Sequence, residues 1–285
     1  MADKKFQVKG TKSVLLEQLA RLKMIDIQTE WQRKKWGWIA GLSGLMFFLS
    51  LFLIAPLLAN FGNDKSSFIF LPVFFISFVV GLINYIRNKS KDLEDRKLES
   101  ATKLVQFLGD DIPPTAECQL MVDFSDYCKG ATLVSKNKKL LGPDLFVYNH
   151  KWLTFAGKLF DGNKFELEIE QDIKRKEVPK RKYKKVKENI RESATLRLKF
   201  NPEFYPEPSK VAEKINKGAS PYGFKVNSVL GTDKSLKVTM STNPVKFLTD
   251  RVGRKGDEKA LINGDKLLGL FMLTYEALKT SQQAA

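Results

Sequence analysis

Two charge-free runs constrain this chain more than any other feature. From Trp36 to Asn63 it reads WGWIAGLSGLMFFLSLFLIAPLLANFGN, and from Ser66 to Ile86 it reads SSFIFLPVFFISFVVGLINYI. An α-helix rising about 1.5 Å per residue needs about 20 apolar residues to cross roughly 30 Å of hydrocarbon. Both runs are long enough, and only Asp64 and Lys65 separate them. The sequence therefore predicts a two-helix transmembrane hairpin over residues 36–87, with a tight turn at 61–67. A secretory signal does not fit, because the first run follows a 35-residue segment and outlasts an apolar core of about 7–15 residues.

The flanks set the orientation. Arg33, Lys34 and Lys35 precede the first run and Arg87, Lys89 and Lys91 follow the second, while the connection holds one Lys beside one Asp. By the positive-inside rule both termini face the cytoplasm, and Trp31, Trp36, Trp38 and Tyr85 suit the interfacial level on that side. Gly37, Gly41 and Gly44 on the first helix and Ser77 and Gly81 on the second are candidate helix-packing positions, since small residues let backbones approach closely in lipid. They serve either the hairpin itself or its oligomerisation. Pro56 and Pro72 fall in the far half, where neighbours can satisfy freed carbonyls. Neither run contains an ionisable residue, which argues against a proton relay or a voltage sensor.

Outside these runs the chain is strongly basic. Its 285 residues carry 48 Lys+Arg and 32 Asp+Glu, a net charge of +16, and nearly all of these lie beyond the apolar segment. One His and two Cys exclude a His- or Cys-rich metal site and a disulfide framework. No metal and no cofactor is expected.

The rest divides into three parts. Residues 1–35, with nine basic and four acidic side chains, predict an amphipathic basic helix on which Leu15, Leu19, Leu22 and either Ile25 or Asp26 share a face. Residues 88–112 predict a helical stalk with Leu93, Leu98, Ala101, Val105 and Leu108 in one stripe, stopped by Gly109 and Pro113-Pro114. Residues 113–285 predict a cytoplasmic α+β domain built on an antiparallel sheet. Its strand signals are Cys118, Leu120, Val122 and Phe124 alternating; Phe165, Leu167, Ile169 and Ile173 opposite Glu166, Glu168, Glu170 and Asp172; and Leu196, Leu198 and Phe200 opposite Arg197 and Lys199. Asp161-Gly162 marks a hairpin turn, FKVNSVL-GTDK-SLKVTM a second hairpin, and residues 264–281 a core helix capped by Asp265.

Catalytic signals are poor. His150 is the only histidine and reads as a surface or turn residue. Cys118 and Cys128 read as buried thiols of a reducing compartment. Gly253-Arg254-Lys255-Gly256 lacks the spacing, Lys and hydroxyl of a phosphate loop, and the S-x-x-K match at Ser135–Lys138 is the kind a Lys-rich chain produces by chance. The strongest feature is KRKEVPKRKYKKVKENIR, residues 174–191, with ten basic and two acidic side chains. Lys174, Arg175, Lys176, Lys180, Arg181, Lys182, Lys184, Lys185, Lys187 and Arg191 are the candidate ligands for anionic lipid headgroups or an acidic partner. Ten cations cannot be buried without partners, so an excursion between strands is expected, with Tyr183, Val186 and Ile190 spaced for a short basic helix; the blander reading is a solvated loop or a strand extension. Nucleic acid is the rival ligand, disfavoured because no recognisable motif accompanies the charge and a bilayer is already within reach.

These features suggest a non-enzymatic integral membrane scaffold or assembly component whose cytoplasmic domain binds protein partners or copies of itself. A bacterial inner membrane is the expected site. A subunit of a homo-oligomeric two-span channel is the alternative, and a membrane-tethered enzyme or nucleic-acid-binding protein comes third.

Overall fold

The computed structural model describes residues 4–54, 67–91, 93–125, 131–137, 142–181, 184–201, 208–215, 218–220, 222–232, 234–249 and 254–282. The chain is α+β, with helices and one large antiparallel sheet. It forms two compact units, Met1–Leu19 with Glu94–Ala285, and Ala20–Leu93.

The smaller unit holds most of helix α1 (Lys12–Leu49), the π-helical turn Ser50–Ile54 that prolongs it, and helix α2 (Ser67–Lys89). The two helices run antiparallel. Gly37 faces Tyr85, Gly44 faces Phe78, and the rings of Phe47 and Phe75 lie 5.4 Å apart. The closest approach is at Gly81, where a Cβ would stand 3.0 Å from the backbone nitrogen of Ala40. Near the other end, buried Asp26 accepts a hydrogen bond from the Leu93 backbone N–H at 3.0 Å, whereas Ile25 is exposed. The polar residue takes the inner position because it satisfies a backbone donor there.

Among the described residues one helix, Lys12–Phe52, is long and apolar enough to cross a membrane, where the sequence leads one to expect two. Only 17% of its most apolar window is buried within the protein, unlike the core helix of a globular fold. Residues 61–66 of the expected turn lie outside the described residues.

The larger unit rests on an 11-stranded sheet. Strands β1 (Lys5–Gly10), β2 (Cys118–Asp123), β4 (Asp144–Lys158), β5 (Lys164–Pro179), β6 (Lys184–Lys199), β9 (Ser235–Ser241), β8 (Lys225–Thr232) and β7 (Gly218–Ala219) follow one another across it. Strand β3 (Thr132–Asn137) lies beside β4, β10 (Val245–Thr249) beside β6, and β11 (Arg254–Lys255) beside β10. On one side, β4 pairs with β2 through Leu153–Ala156 and with β3 through Leu145–Asn149. Likewise β6 pairs with β9 through Ser193–Lys199 and with β10 through Val186–Ile190. The long β4–β5–β6 ladder thus carries two half-sheets end to end.

Alternation explains the ladder. Phe165, Leu167, Ile169 and Ile173 are buried on its inner face, as are Leu196 and Leu198 opposite. Between β4 and β5, Gly162 takes φ +80° and Asp161 Oδ1 accepts the Asn163 N–H at 3.0 Å, the turn that Asp-Gly favours. Helices α3 (Asp95–Leu108), α4 (Pro208–Lys214) and α5 (Gly264–Gln282) complete the unit. Phe155, Phe165 and Phe271 meet edge to face with centroids 5.0 and 6.3 Å apart, tying α5 to the sheet. The cap of α5 is Asn263, whose Oδ1 accepts the Lys266 N–H at 3.0 Å, in place of the expected Asp265.

Three expectations need correction. The N-terminal segment is not helical throughout, because Lys5–Gly10 form β1 and pair residue for residue with β2. The stalk expected over 88–112 is two segments: α2 stops at Lys89, and α3 buries Leu98, Ala101, Leu104, Val105 and Leu108 in the sheet unit. Its apolar stripe is core, so the domain expected at 113–285 includes α3, β1 and the first turns of α1. Finally, the basic segment 174–191 is neither a helix nor an excursion, for its described residues belong mostly to β5 and β6.

Candidate functional site: a cationic sheet face

Directly paired residues in an antiparallel ladder project to the same face, so the register sorts the basic segment into two sides. On the inner side stand Ile173 opposite Ile190, Arg175 opposite Glu188 and Glu177 opposite Val186. Here charge is matched: Arg175 lies 2.9 Å from Glu177 and 3.7 Å from Glu188, and Lys184 lies 3.4 Å from Glu177. Ile173 and Ile190 join Val245, Phe247 and Leu261 in a buried cluster that fixes this end of the ladder.

The outer side differs. One row across the sheet reads Leu145, Lys176, Lys187, Leu248 and Lys255, and the next reads Val147, Lys174, Asn189 and Lys246. Lys185 stands opposite Val178, and Arg191 opposite Asp172. Lys174, Lys176, Lys187, Arg191, Lys246 and Lys255 are exposed, and Lys185 is half-buried. Lys176 and Lys187 face each other directly, an arrangement that destabilises a sheet. Farther along the same face acids and bases are matched. Arg197 reaches Glu166 at 2.9 Å and Glu168 at 3.0 Å, and Lys151 also binds Glu168. These cations, outweighing burial, hold the Glu168 carboxyl below its usual range. Among the described residues this compensation ends at Arg191 opposite Asp172, leaving a plate of lysines interleaved with Leu145, Val147, Val178 and Leu248.

Of the ten cations singled out in the sequence, Lys174, Lys176, Lys185, Lys187 and Arg191 share this plate, whereas Arg175 and Lys184 lie on the opposite side in ion pairs. Lys180 and Arg181 are exposed beyond β5, and Lys182 lies outside the described residues. Sequence reasoning missed Lys246 and Lys255. They come from strands some 60–80 positions away, and only the β6–β10–β11 pairing brings them alongside. The candidate packing residues separate as well: Gly37, Gly44 and Gly81 lie at the α1–α2 contact, Ser77 is half-buried, and Gly41 has open space where a Cβ would be.

A second polar constellation lies inside the sheet unit. His150 is buried, contrary to the expected surface position, with Nε2 3.4 Å from Asp123 Oδ2. Buried Lys97 donates to the Asp123 carbonyl at 3.1 Å and pairs with Glu94 at 3.0 Å. The Arg96 guanidinium and Lys97 ammonium lie 5.5 and 5.8 Å from the centroid of buried Trp152. Glu192, fully buried, accepts both guanidinium arms of Arg96 at 3.0 Å each, together with Gln171 Nε2–H and the Ile262 N–H. These contacts are internal, and among the described residues no three His, Cys, Asp or Glu side chains assemble as a metal site. Elsewhere, an open depression of about 410 Å³ includes Lys266, whose ammonium is taken up by the carbonyls of Lys259, Ala260 and Leu261.

His150 makes stability depend on pH. Burial, and after it the Lys97 ammonium, hold its pKa below the usual 6.5 against the opposing pull of Asp123. The unfolded chain takes up this proton as pH falls past about 6.5 and the folded chain only at lower pH, so stability is full above that window and declines within it. Asp123 does not titrate there: burial would raise its pKa, but its hydrogen bonds with Ser125 and the charge of His150 outweigh this and hold it below 3.8. The thermal midpoint of the wild type should drop between pH 7 and pH 5, and His150→Gln should lose that part of the slope. Parallel curves for the two proteins would refute the assignment.

No known family model matches the chain, and no curated protein or solved structure is significantly similar to it.

Proposed function

We propose that this protein is an integral membrane scaffold or assembly component, anchored by α1 and α2 as a two-span hairpin in a bacterial inner membrane. Both termini are cytoplasmic in this reading, and the α+β unit docks its lysine plate on anionic headgroups while serving protein partners or further copies of the chain. Support for two spans comes from the charge-free stretch of α2, Ser67–Ile86, whose length of about 30 Å matches the hydrocarbon thickness. It also comes from the outward Leu42, Leu45, Phe48, Val73, Ile76 and Ile83, all exposed as they would be to lipid.

The observation that carries the docking reading is the lysine-rich outer face with its like-charge pair, Lys176 opposite Lys187. A fold that places lysines against its own stability gains from an external anion. Near an anionic leaflet each lysine contributes about 1 kcal/mol, so four would contribute up to about 4 kcal/mol.

The test uses the full chain in lipid nanodiscs. A cysteine replacing Leu145, at the edge of the plate, should react with a maleimide about fivefold more slowly in anionic than in neutral discs. Adding Lys174→Gln, Lys176→Gln, Lys187→Gln and Lys246→Gln should erase the difference. So should 1 M salt, which shortens screening to about 3 Å. Equal rates in both lipids before those changes would sink the docking role. Topology is read separately with an impermeant thiol reagent on intact cells, which should label Asn63→Cys and spare Ser281→Cys; the reverse pattern would overturn the orientation.

A further inference from the structure

Large apolar side chains stand exposed on α1 at strict seven-residue spacing: Met24, Trp31, Trp38 and Leu45, at 59, 63, 72 and 57% exposure. Three positions on from Met24, Trp38 and Leu45 come Ile27 and Phe48, both exposed, and Gly41, around which a Cβ would meet nothing within 4 Å. Lys34 alone breaks this second row. The face lies away from α2, which α1 meets through Gly37, Ala40, Gly44 and Phe47.

Lipid can take up the stretch from Trp36 onward. It does not account for Met24, Ile27 and Trp31, which precede Arg33, Lys34 and Lys35 and hence the charge-free span. One stripe therefore crosses the membrane boundary without changing its face or its period. A seven-residue apolar repeat is the pattern by which helices wind around one another left-handedly.

We infer that this stripe is the contact between two copies of the chain, packed with their α1 helices parallel. The inference rests on the membrane-hairpin reading above and specifies its self-association. Copies inserted in the same orientation place identical residues at identical depth, so the stripe meets itself along its whole length, in water and in lipid. The flanks agree. With Met24 and Trp31 at core positions, Glu30 borders the seam on one side and Lys35 borders it on the other, five residues later, the spacing at which flanking charges of parallel helices meet. Glu30 now pairs with Lys34 of its own helix at 2.9 Å, and the Lys35 ammonium lies 5.4 Å from the Trp31 ring centroid. Both side chains thus already lie beside the seam.

Single cysteines in the full chain, oxidised mildly in native membranes, test the contact against the background set by the wild-type cysteines. Met24→Cys, Trp31→Cys, Trp38→Cys and Leu45→Cys should yield disulfide-linked dimer about fivefold above Ile25→Cys, Gln32→Cys and Met46→Cys, which are one position off the seam. A flat profile across the two series, or no dimer in either, overturns the parallel pair. Resistance of the same variants to alkaline extraction is read alongside. Chains that stay in the membrane with a flat profile refute the pair alone, whereas chains that are extracted refute the membrane reading and the pair together.

Discussion

Replacing Arg96 by Ala should cost about 3–5 kcal/mol, because it leaves a buried carboxylate without its counter-charge. Glu192 is inaccessible to solvent and Arg96 nearly so, and the pair is bidentate at 3.0 Å on both arms. Arg96 also donates to the Ile262 carbonyl at 2.6 Å. One side chain thus binds the start of α3 to β6 and to the segment leading into α5. Thermal unfolding of the full chain measures the loss. Arg96→Lys should recover only part of it, since an ammonium cannot reproduce the fork. Changing both Arg96 and Glu192 to Met should be milder than Arg96→Ala despite removing more, because no buried charge is left over. It will not be neutral, for the Ile262 N–H and Gln171 would lose their acceptor. An Arg96→Ala variant within about 1 kcal/mol of wild type would mean that water reaches Glu192.

The sequence announced this ion pair nowhere, although both residues stand in plain view. Arg96 lies in a charged stretch, RNKSKDLEDRK, that reads as a solvated stalk, and Glu192 ends a run dominated by cations. Polar residues at core positions carry no periodic signature, and 96 positions separate the two. Local alternation, in contrast, was legible. Phe165, Leu167 and Ile169 and the Asp161-Gly162 turn stand where the pattern put them. The basic segment failed as a strand signal because its outer positions are lysines and its inner ones, at Arg175, Glu177 and Glu188, are charged as well. Only Ile173, just ahead of the segment, and Val186 and Ile190 within it kept the alternation there. Charge composition identified the chemistry of the cationic face, but the strand register decides which five of the ten cations share it. For Lys246 and Lys255 there was no local signal.

A fragment comprising residues 113–285 should not fold, although its composition and length suit an independent domain. It lacks β1, whose six residues pair with Cys118–Asp123, so β2 would become an open edge. It lacks Leu15 and Leu19, at 0 and 1% exposure, and the buried Leu98, Leu104, Val105 and Leu108 of α3. Fully burying one such side chain contributes about 1.5–3 kcal/mol, so six contribute on the order of 9–18 kcal/mol as an upper bound, comparable with the entire stability of about 5–15 kcal/mol typical of a folded protein. Removing Arg96 and Lys97 with the helix also strips the partner from Glu192 and both cations from beside Trp152. The fragment should accordingly show no cooperative thermal transition and little near-ultraviolet dichroism from Trp152. In the full chain, Leu15→Ala and Leu19→Ala should each cost about 2–5 kcal/mol, although both lie about a hundred positions from the nearest residue of the fragment. A cooperative transition of 113–285 near the wild-type midpoint would show that the N-terminal strand and α3 are appendages. Its absence, with both alanine variants destabilised, would establish that the chain on either side of the Ala20–Leu93 unit folds as one unit.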